Sequence, residues 1–226
     1  MNTSSLGKTL GPVSLQDRIR LQLEQDIQDG KLMPGMAIDE KAVAASFNTS
    51  RTPVREALLL LSVHGLVDIV PRTGIYVHKL SAGELVAMME ALGELEGVLA
   101  RLAALRIGPA QRDELLRALG GTADRAAAQD AAGYQQANAV LHDVIYRSSG
   151  NPFIVEQAKT VRMRIAAYRG RLFERPGRLN TSQAEHEKVV NCILRGLADG
   201  AAEAMREHIS AGGKVFADLV LTNSLR

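Results

Sequence analysis

The sequence predicts a mainly α-helical chain in two parts. A small N-terminal unit of helices is closed by one β-hairpin, and a larger all-helical bundle follows. Three observations carry this reading. Apolar residues recur every three or four positions through most of the chain, the period of a helix with one buried face. Runs of β-branched and apolar residues interrupt that period only over residues 66–79. Gly, Pro and short polar clusters fall between the periodic segments, as turns require.

The elements follow in order. Residues 1–13 hold Gly, Ser, Thr and Pro without periodicity and are expected to form a mobile arm. Ser14 to Asp29 is an amphipathic helix, with Leu15, Ile19, Leu23 and Ile27 on one stripe. Gly30 and Pro34-Gly35 then break the chain. Asp39 to Phe47 reads as a short helix. Ile38, Val43 and Phe47 supply its apolar positions, and Ala42, Ala44 and Ala45 allow close packing. Asn48-Thr49 is a tight turn. A second helix runs from about Ser50 to His64, with Ser50 expected to cap it through its hydroxyl and Gly65 to end it. Two helices joined by a short turn form a helix-turn-helix pattern. Leu66 to Val70 and Ile75 to Lys79, separated by Pro71-Arg72-Thr73-Gly74, complete it with a basic-tipped hairpin, a wing.

From Ser81 onward the pattern is helical throughout. Ser81-x-x-Glu84 is a capping box, and Leu85, Met88, Met89, Leu92, Leu95, Leu99 and Leu102 mark a long helix. Further helices are predicted over about 111–128, 131–148, 153–173, 181–197 and 199–220. Six helices without a strand signal predict an all-α bundle over residues 80–226, behind a winged helix-turn-helix over 14–79.

Composition sets bounds on function. Formal net charge is +2, and residues 1–80 carry nine Lys and Arg against eight Asp and Glu. Nucleic-acid binding would then depend on a few placed cations, not on a general basic field. The one cysteine, Cys192, excludes an intramolecular disulfide and is expected to pack as a small core residue. No run reaches membrane-spanning length and no signal-peptide pattern opens the chain, so a cytoplasmic protein without a membrane partner is expected.

The segment Thr49-Ser50-Arg51-Thr52-Pro53-Val54-Arg55-Glu56-Ala57-Leu58 carries the chemistry of the first unit. Arg51 and Arg55 are one turn apart and share a face. A positive helix end with hydroxyls and two guanidinium forks suits phosphates and guanine edges. Taken alone it could equally be a solvated first turn; the flanking helix and wing favour DNA. These residues, with Ile27-x-x-Gly30, Pro34-Gly35, Gly65-Leu66-Val67 and Arg72-x-Gly74-x-x-Val77, resemble the winged-helix domain of GntR-family bacterial transcription regulators. The resemblance implies that Arg51 and Arg55 read the groove and that Ser50 and Thr52 contact phosphate. It places Lys41 as a basic residue on the preceding helix, with Arg72, Thr73 and Gly74 at the wing tip.

The bundle holds a histidine constellation. His142 lies four residues after Asn138, and His186 and His208 fall on the last two helices. Facing helices can assemble such groups around a divalent ion, although isolated helical histidines are more often satisfied core or surface residues. His142, Ser149-Gly150-Asn151, Glu185-His186 and Ala204-Met205-x-x-His208-Ile209 are similar to the FCD-type effector domain of the FadR subgroup of GntR regulators. That resemblance implies a metal, zinc foremost, held by Asn138, His142, His186 and His208. Asn138 stands where many members have Asp, which gives a weaker ligand. Leu92 stands about where many have an arginine for an effector carboxylate, so an organic-acid effector would need another cation. Arg162 and Arg169, within the basic run Lys159, Arg162, Arg164, Arg169, Arg171, Arg175 and Arg178, are candidates; a solvated helix face is the plainer reading. Tyr134 and Glu90 are further candidates for a pocket wall.

The expected function is a ligand-responsive regulator, a repressor by preference. It would bind a palindromic operator in double-stranded DNA as a homodimer, with a small-molecule effector in the bundle. The alternative is a metal-dependent hydrolase with an accessory winged helix. Against it, His186-Glu187 lacks a second histidine at zincin spacing, and there is no Gly-x-Ser-x-Gly elbow or phosphate-binding loop. No enzyme is expected.

Overall fold

The structure is a computed structural model that describes residues 13–169 and 172–223, with side chains described except at 167, 169 and 214–223. Most of the expected N-terminal arm therefore lies outside the described residues. The chain forms two compact units, the first ending at Lys79 and the second starting at Leu80.

In the first unit, α1 (Leu15–Gln28) starts at Ser14, whose hydroxyl accepts from the Asp17 amide. Ile19, Leu23 and Ile27 are buried, while Leu15 at the helix end is exposed. The next helix, α2 (Glu40–Ser46), is capped by Asp39, which accepts from the Lys41 amide at 2.7 Å. Its buried residue is Ala44; Val43 and Phe47 are only half-buried. A small side chain there lets α2 approach α3 (Arg51–Val63), whose Val54, Ala57, Leu58 and Leu61 are buried. Asn48, at φ 49°, makes the turn between them.

Ser50 occupies the N-cap of α3 but makes no side-chain capping bond. This corrects the sequence expectation, and the reason is local. An N-cap hydroxyl accepts from the second or third helical amide, and Pro53 as the third residue removes one of these two, leaving only the Thr52 amide, which Ser50 does not engage. The far end follows expectation. Gly65 at φ 70° allows the Gly65 and Leu66 amides to close back on Ser62 and Leu61, a left-handed turn that a side chain would strain. The wing is β1 (Val67–Val70) paired antiparallel with β2 (Gly74–Val77), in register from Val67↔Val77 to Val70↔Gly74.

The second unit is helical throughout its described residues. The capping box at Ser81 and Glu84 is formed, and α4 (Ala82–Arg106) runs through the core. Around it lie α5 (Pro109–Ala127), α6 (Ala131–Ser149), α7 (Pro152–Arg169), α8 (Arg178–Leu194) and α9 (Ala198–Asn223). Several boundaries shift from the prediction: α7 ends at Arg169 against 173 and α8 at Leu194 against 197, and two helix starts move for identifiable reasons. Pro109, preset at a helical φ, starts α5 two residues early. The start of α8 comes at Gly177, whose positive φ supplies the turn ahead of Arg178. The core joins Leu85, Leu92, Leu99, Leu141, Ile145, Ile165, Val189, Ile193, Met205 and Ile209. Half-buried Cys192 packs against it. The close packing of α4 on α9 depends on Gly97: a Cβ there would sit 3.2 Å from the Ala202 carbonyl oxygen.

Candidate functional site

Two sites emerge, one in each unit. In the first, every side chain singled out for DNA contact is exposed: Lys41, Ser50, Arg51, Thr52, Arg55, Arg72, Thr73 and Gly74. The first-turn amides of Arg51 and Thr52 have no helical partner and make no bond to the Ser50 side chain, and they add to the positive helix end. Arg72 projects from a left-handed residue, φ 64°, at the tip of the wing. Arg55 is not alone. Its Nε donates to both carboxylate oxygens of Glu40 at 3.2 Å. The sequence reading passed over Glu40, because a contact 15 residues away leaves no periodic trace.

The second site is buried in the bundle. His142 comes from α6, His186 from α8 and His208 from α9. One ring nitrogen of each lies within 4.8 Å of the others. Relative exposures are 1%, 1% and 4%, and Asn138, one turn before His142, is 3% exposed. The Nδ1 of each histidine is taken. His142 Nδ1 donates to Glu96 at 2.7 Å, and His208 Nδ1 to Glu185 at 2.7 Å. His186 Nδ1 lies 3.2 Å from the Tyr134 hydroxyl. The Nε2 atoms of His142 and His186 and the amide oxygen of Asn138 are buried with no hydrogen-bond partner. Orphaned buried acceptors are costly unless something completes them. Three histidines oriented through Nδ1 by oxygen groups, with buried acceptors left over, fit a divalent cation that takes imidazole and amide oxygen.

Electrostatics agree with that chemistry. Burial drives the His142 imidazole down to about 3, with Arg162 adding to the effect against the pull of Glu96. Burial, then the other two histidines, holds His186 well below its ordinary value. Burial also lowers His208, against Glu185. All three rings are therefore neutral, the form that can donate a lone pair. Burial alone would raise Glu96, but Arg162 and His142 reverse this and keep its carboxyl well below the usual range. Burial raises the Tyr134 hydroxyl to about 12.

The proposed effector residues fare differently. Arg162 is tied to fully buried Glu96 through Nε at 2.6 Å and a terminal nitrogen at 3.2 Å. It orients a carboxylate that orients His142, and so is not held open toward a pocket. Tyr134 is fully buried beside His186. Glu90 is exposed and lines a cleft of about 670 Å³ on α4 and α9, with Glu94 and Arg206. The Arg169 side chain, like Arg171, lies outside the described residues. Leu92 is fully buried in the core, and so contributes no charge. Glu96 and Glu185 were missed as second partners of the histidines. Glu96 did leave a signal: 85, 89, 92, 96, 99 and 103 alternate steps of four and three, which puts a carboxylate on the inward face of α4.

A solvent-facing recognition helix with a wing, ahead of a helical bundle with a buried histidine cluster, defines a two-part DNA-binding regulator. Residues 15–77 match the model of the bacterial regulatory proteins of the gntR family, and residues 87–211 match the FCD domain. The chain belongs to the GntR family of transcription regulators and carries an FCD domain. It is 31% identical to an HTH-type transcriptional regulator in an unstable DNA locus of Streptomyces ambofaciens, over 95% of this chain and 88% of that one. The HTH-type transcriptional repressor RspR of Escherichia coli is 44% identical over 62 residues, 27% of each chain. The fold is that of E. coli McbR/YncC, with a TM-score of 0.81 at 22% identity, covering 92% of this chain and 99% of that one. Regulators of this family bind operator DNA and small-molecule effectors; they are not enzymes, and nothing supports the hydrolase alternative. Among the described residues no helix is long and apolar enough to cross a membrane.

Proposed function

We propose that this chain is a repressor that binds a palindromic operator as a homodimer, with α3 of each copy in a major groove. Arg51 and Arg55 read guanine edges. Ser50, Thr52, the first-turn amides of α3, Lys41 and the wing residues Arg72, Thr73 and Gly74 hold the phosphate backbone. The exposed N-terminus of α3 carries this reading, since its first-turn amides receive no side-chain cap among the described residues. In the bundle, Asn138, His142, His186 and His208 hold a divalent ion, zinc foremost. The orphaned Asn138 oxygen and histidine nitrogens support that assignment. The ion would give a small effector, of the carboxylate class, an electrophilic anchor. An effector changes operator affinity only so far as it binds one arrangement of the dimer better than another.

The test uses the duplex that the wild-type protein selects from a random library. Arg51→Ala and Arg55→Ala should each weaken binding to it by roughly 5- to 150-fold, equivalent to about 1–3 kcal/mol per arginine–guanine pair. Circular dichroism and sedimentation should show both variants folded and of unchanged assembly state. Unchanged affinity in both variants rules the assignment out.

A further inference from the structure

We infer that Glu40 is a positioning residue for base recognition. It grips Arg55 by its Nε and leaves the two terminal nitrogens without a hydrogen bond among the described residues. The inference rests on the reading of Arg55 as a base contact.

The manner of the grip carries the argument. A guanidinium has five donors, one on Nε and four on the terminal nitrogens. Carboxylates in this protein hold arginines in two ways: Arg101 gives Asp199 its Nε at 2.9 Å and Arg162 gives Glu96 its Nε at 2.6 Å with a terminal nitrogen, whereas two other pairs use the terminal nitrogens alone. Arg147 gives both of its terminal nitrogens to Glu114, and Arg178 gives both of its own to Glu185. Such a guanidinium has its recognition edge occupied. Between Arg55 and Glu40 the only hydrogen bonds are from Nε, to both carboxylate oxygens at 3.2 Å. A bidentate contact to a guanine edge needs a pair of donors on one side of the guanidinium, and this arrangement keeps such a pair available.

The anchor is better fixed than the arginine it holds. Glu40 is the first residue of α2, where the helix dipole favours a carboxylate, and its side chain is 23% exposed. Arg55 is 63% exposed on a long flexible stem. Without the grip, its fork would sample many rotamers, and nearby phosphates would compete with bases for it. Glu40 also offsets the charge of Arg55, which weakens attachment to any phosphate regardless of sequence. Glu40 thus lowers general DNA affinity and raises discrimination.

The experiment compares wild type, Glu40→Ala, Glu40→Gln, Arg55→Ala and the Glu40→Ala/Arg55→Ala double variant by fluorescence anisotropy. The duplexes are the library-selected operator, its single-base variants and a scrambled duplex of equal length. Glu40→Ala should lower the operator-to-scrambled affinity ratio at least tenfold while scrambled-duplex affinity stays level or rises. Its loss of discrimination should fall at the base position where Arg55→Ala loses discrimination. Adding Glu40→Ala to Arg55→Ala should change the ratio no further, and Glu40→Gln, which keeps an acceptor, should fall between. Equal tightening on both duplexes would mean simple charge repulsion and overturns the inference. So does a full effect of Glu40→Ala in the absence of Arg55. A ratio unchanged by Arg55→Ala overturns the reading beneath it, and the inference with it.

Discussion

The two sites of this protein use opposite surroundings for their charges. Around α3 and the wing, all eight proposed DNA contacts face solvent, and the one ion pair they make among the described residues, Arg55 with Glu40, is water-exposed. In the bundle, three imidazoles, Glu96 and an amide are sealed away with at most 4% exposure. Charges in water interact weakly and are screened by salt, so the proposed DNA face would work by adding up a few placed contacts, each modest, when a polyanion arrives. Buried groups interact strongly and tolerate no missing partner, so the histidine cluster works as one unit. Substitutions on the surface should therefore change affinity by degrees, whereas those in the bundle should act almost as switches.

The largest expected effect tests that cooperativity. Elemental analysis of purified wild-type protein should find divalent metal, and His142→Ala/His186→Ala should contain none. Glu96→Gln keeps all four proposed ligands but weakens the acceptor that fixes His142, and leaves Arg162 without its charged partner. Metal affinity should fall by about 10- to 100-fold, as for other outer partners of ligating histidines. Equal metal content in wild type and the double variant would falsify the site.

A smaller effect should appear as the pH falls. In chelator-treated protein the three histidines stay neutral in the fold, with His142 titrating at about 3 against an ordinary 6.5. Well above pH 6.5 neither state binds protons at these rings, and stability is level with respect to them. Below it the unfolded chain takes up protons that the folded one refuses, so stability falls as pH drops; for His142 the fall runs from about 6.5 toward 3, by up to about 1.4 kcal/mol per pH unit, and His186 and His208 act in the same direction. Glu96 acts in the same direction at lower pH, since its depressed carboxyl stabilises the fold only while ionised. Thermal melts of the metal-free protein should be flat from pH 8 to 7 and decline by pH 5.5. A midpoint constant down to pH 5 excludes neutral buried imidazoles.

The same contrast explains what could be read from the sequence. The helices, the wing and the Gly65 cap were legible because each follows from neighbouring residues. Gly65 must end α3 whatever packs on it, and Ser81 with Glu84 closes its capping box within three residues. Family likeness pointed to the histidines and Asn138, and the bundle brings the three histidines together. Their partners were not read. Glu96 and Arg162 are 66 residues apart, and Glu40 and Arg55 are 15 apart. Such pairs are set by the packing of helices and not by the spacing within one. Arg162 illustrates the cost of ignoring this. Within a basic run it suggested an effector contact; the structure adds a buried carboxylate partner that the spacing could not reveal.

The smallest expected effect separates two serines that look alike in sequence. Ser50 and Ser81 both stand at helix N-caps, in extended backbone. Ser81 accepts from the Glu84 amide at 3.2 Å, and Glu84 reaches back to the Ser81 amide at 2.8 Å. Ser50 has no such bond, because Pro53 removes one amide that it could have served. Ser81→Ala should therefore cost about 1 kcal/mol in urea unfolding of the bundle, the usual loss for an N-cap hydroxyl. Ser50→Ala should leave stability within a few tenths of a kcal/mol. Its effect belongs in DNA binding, where the lost hydroxyl removes one phosphate contact with equal weight on operator and scrambled duplex. If Ser50→Ala instead destabilises the fold as much as Ser81→Ala, the hydroxyl is a cap after all. The α3 terminus would then be less open to phosphate than its geometry indicates.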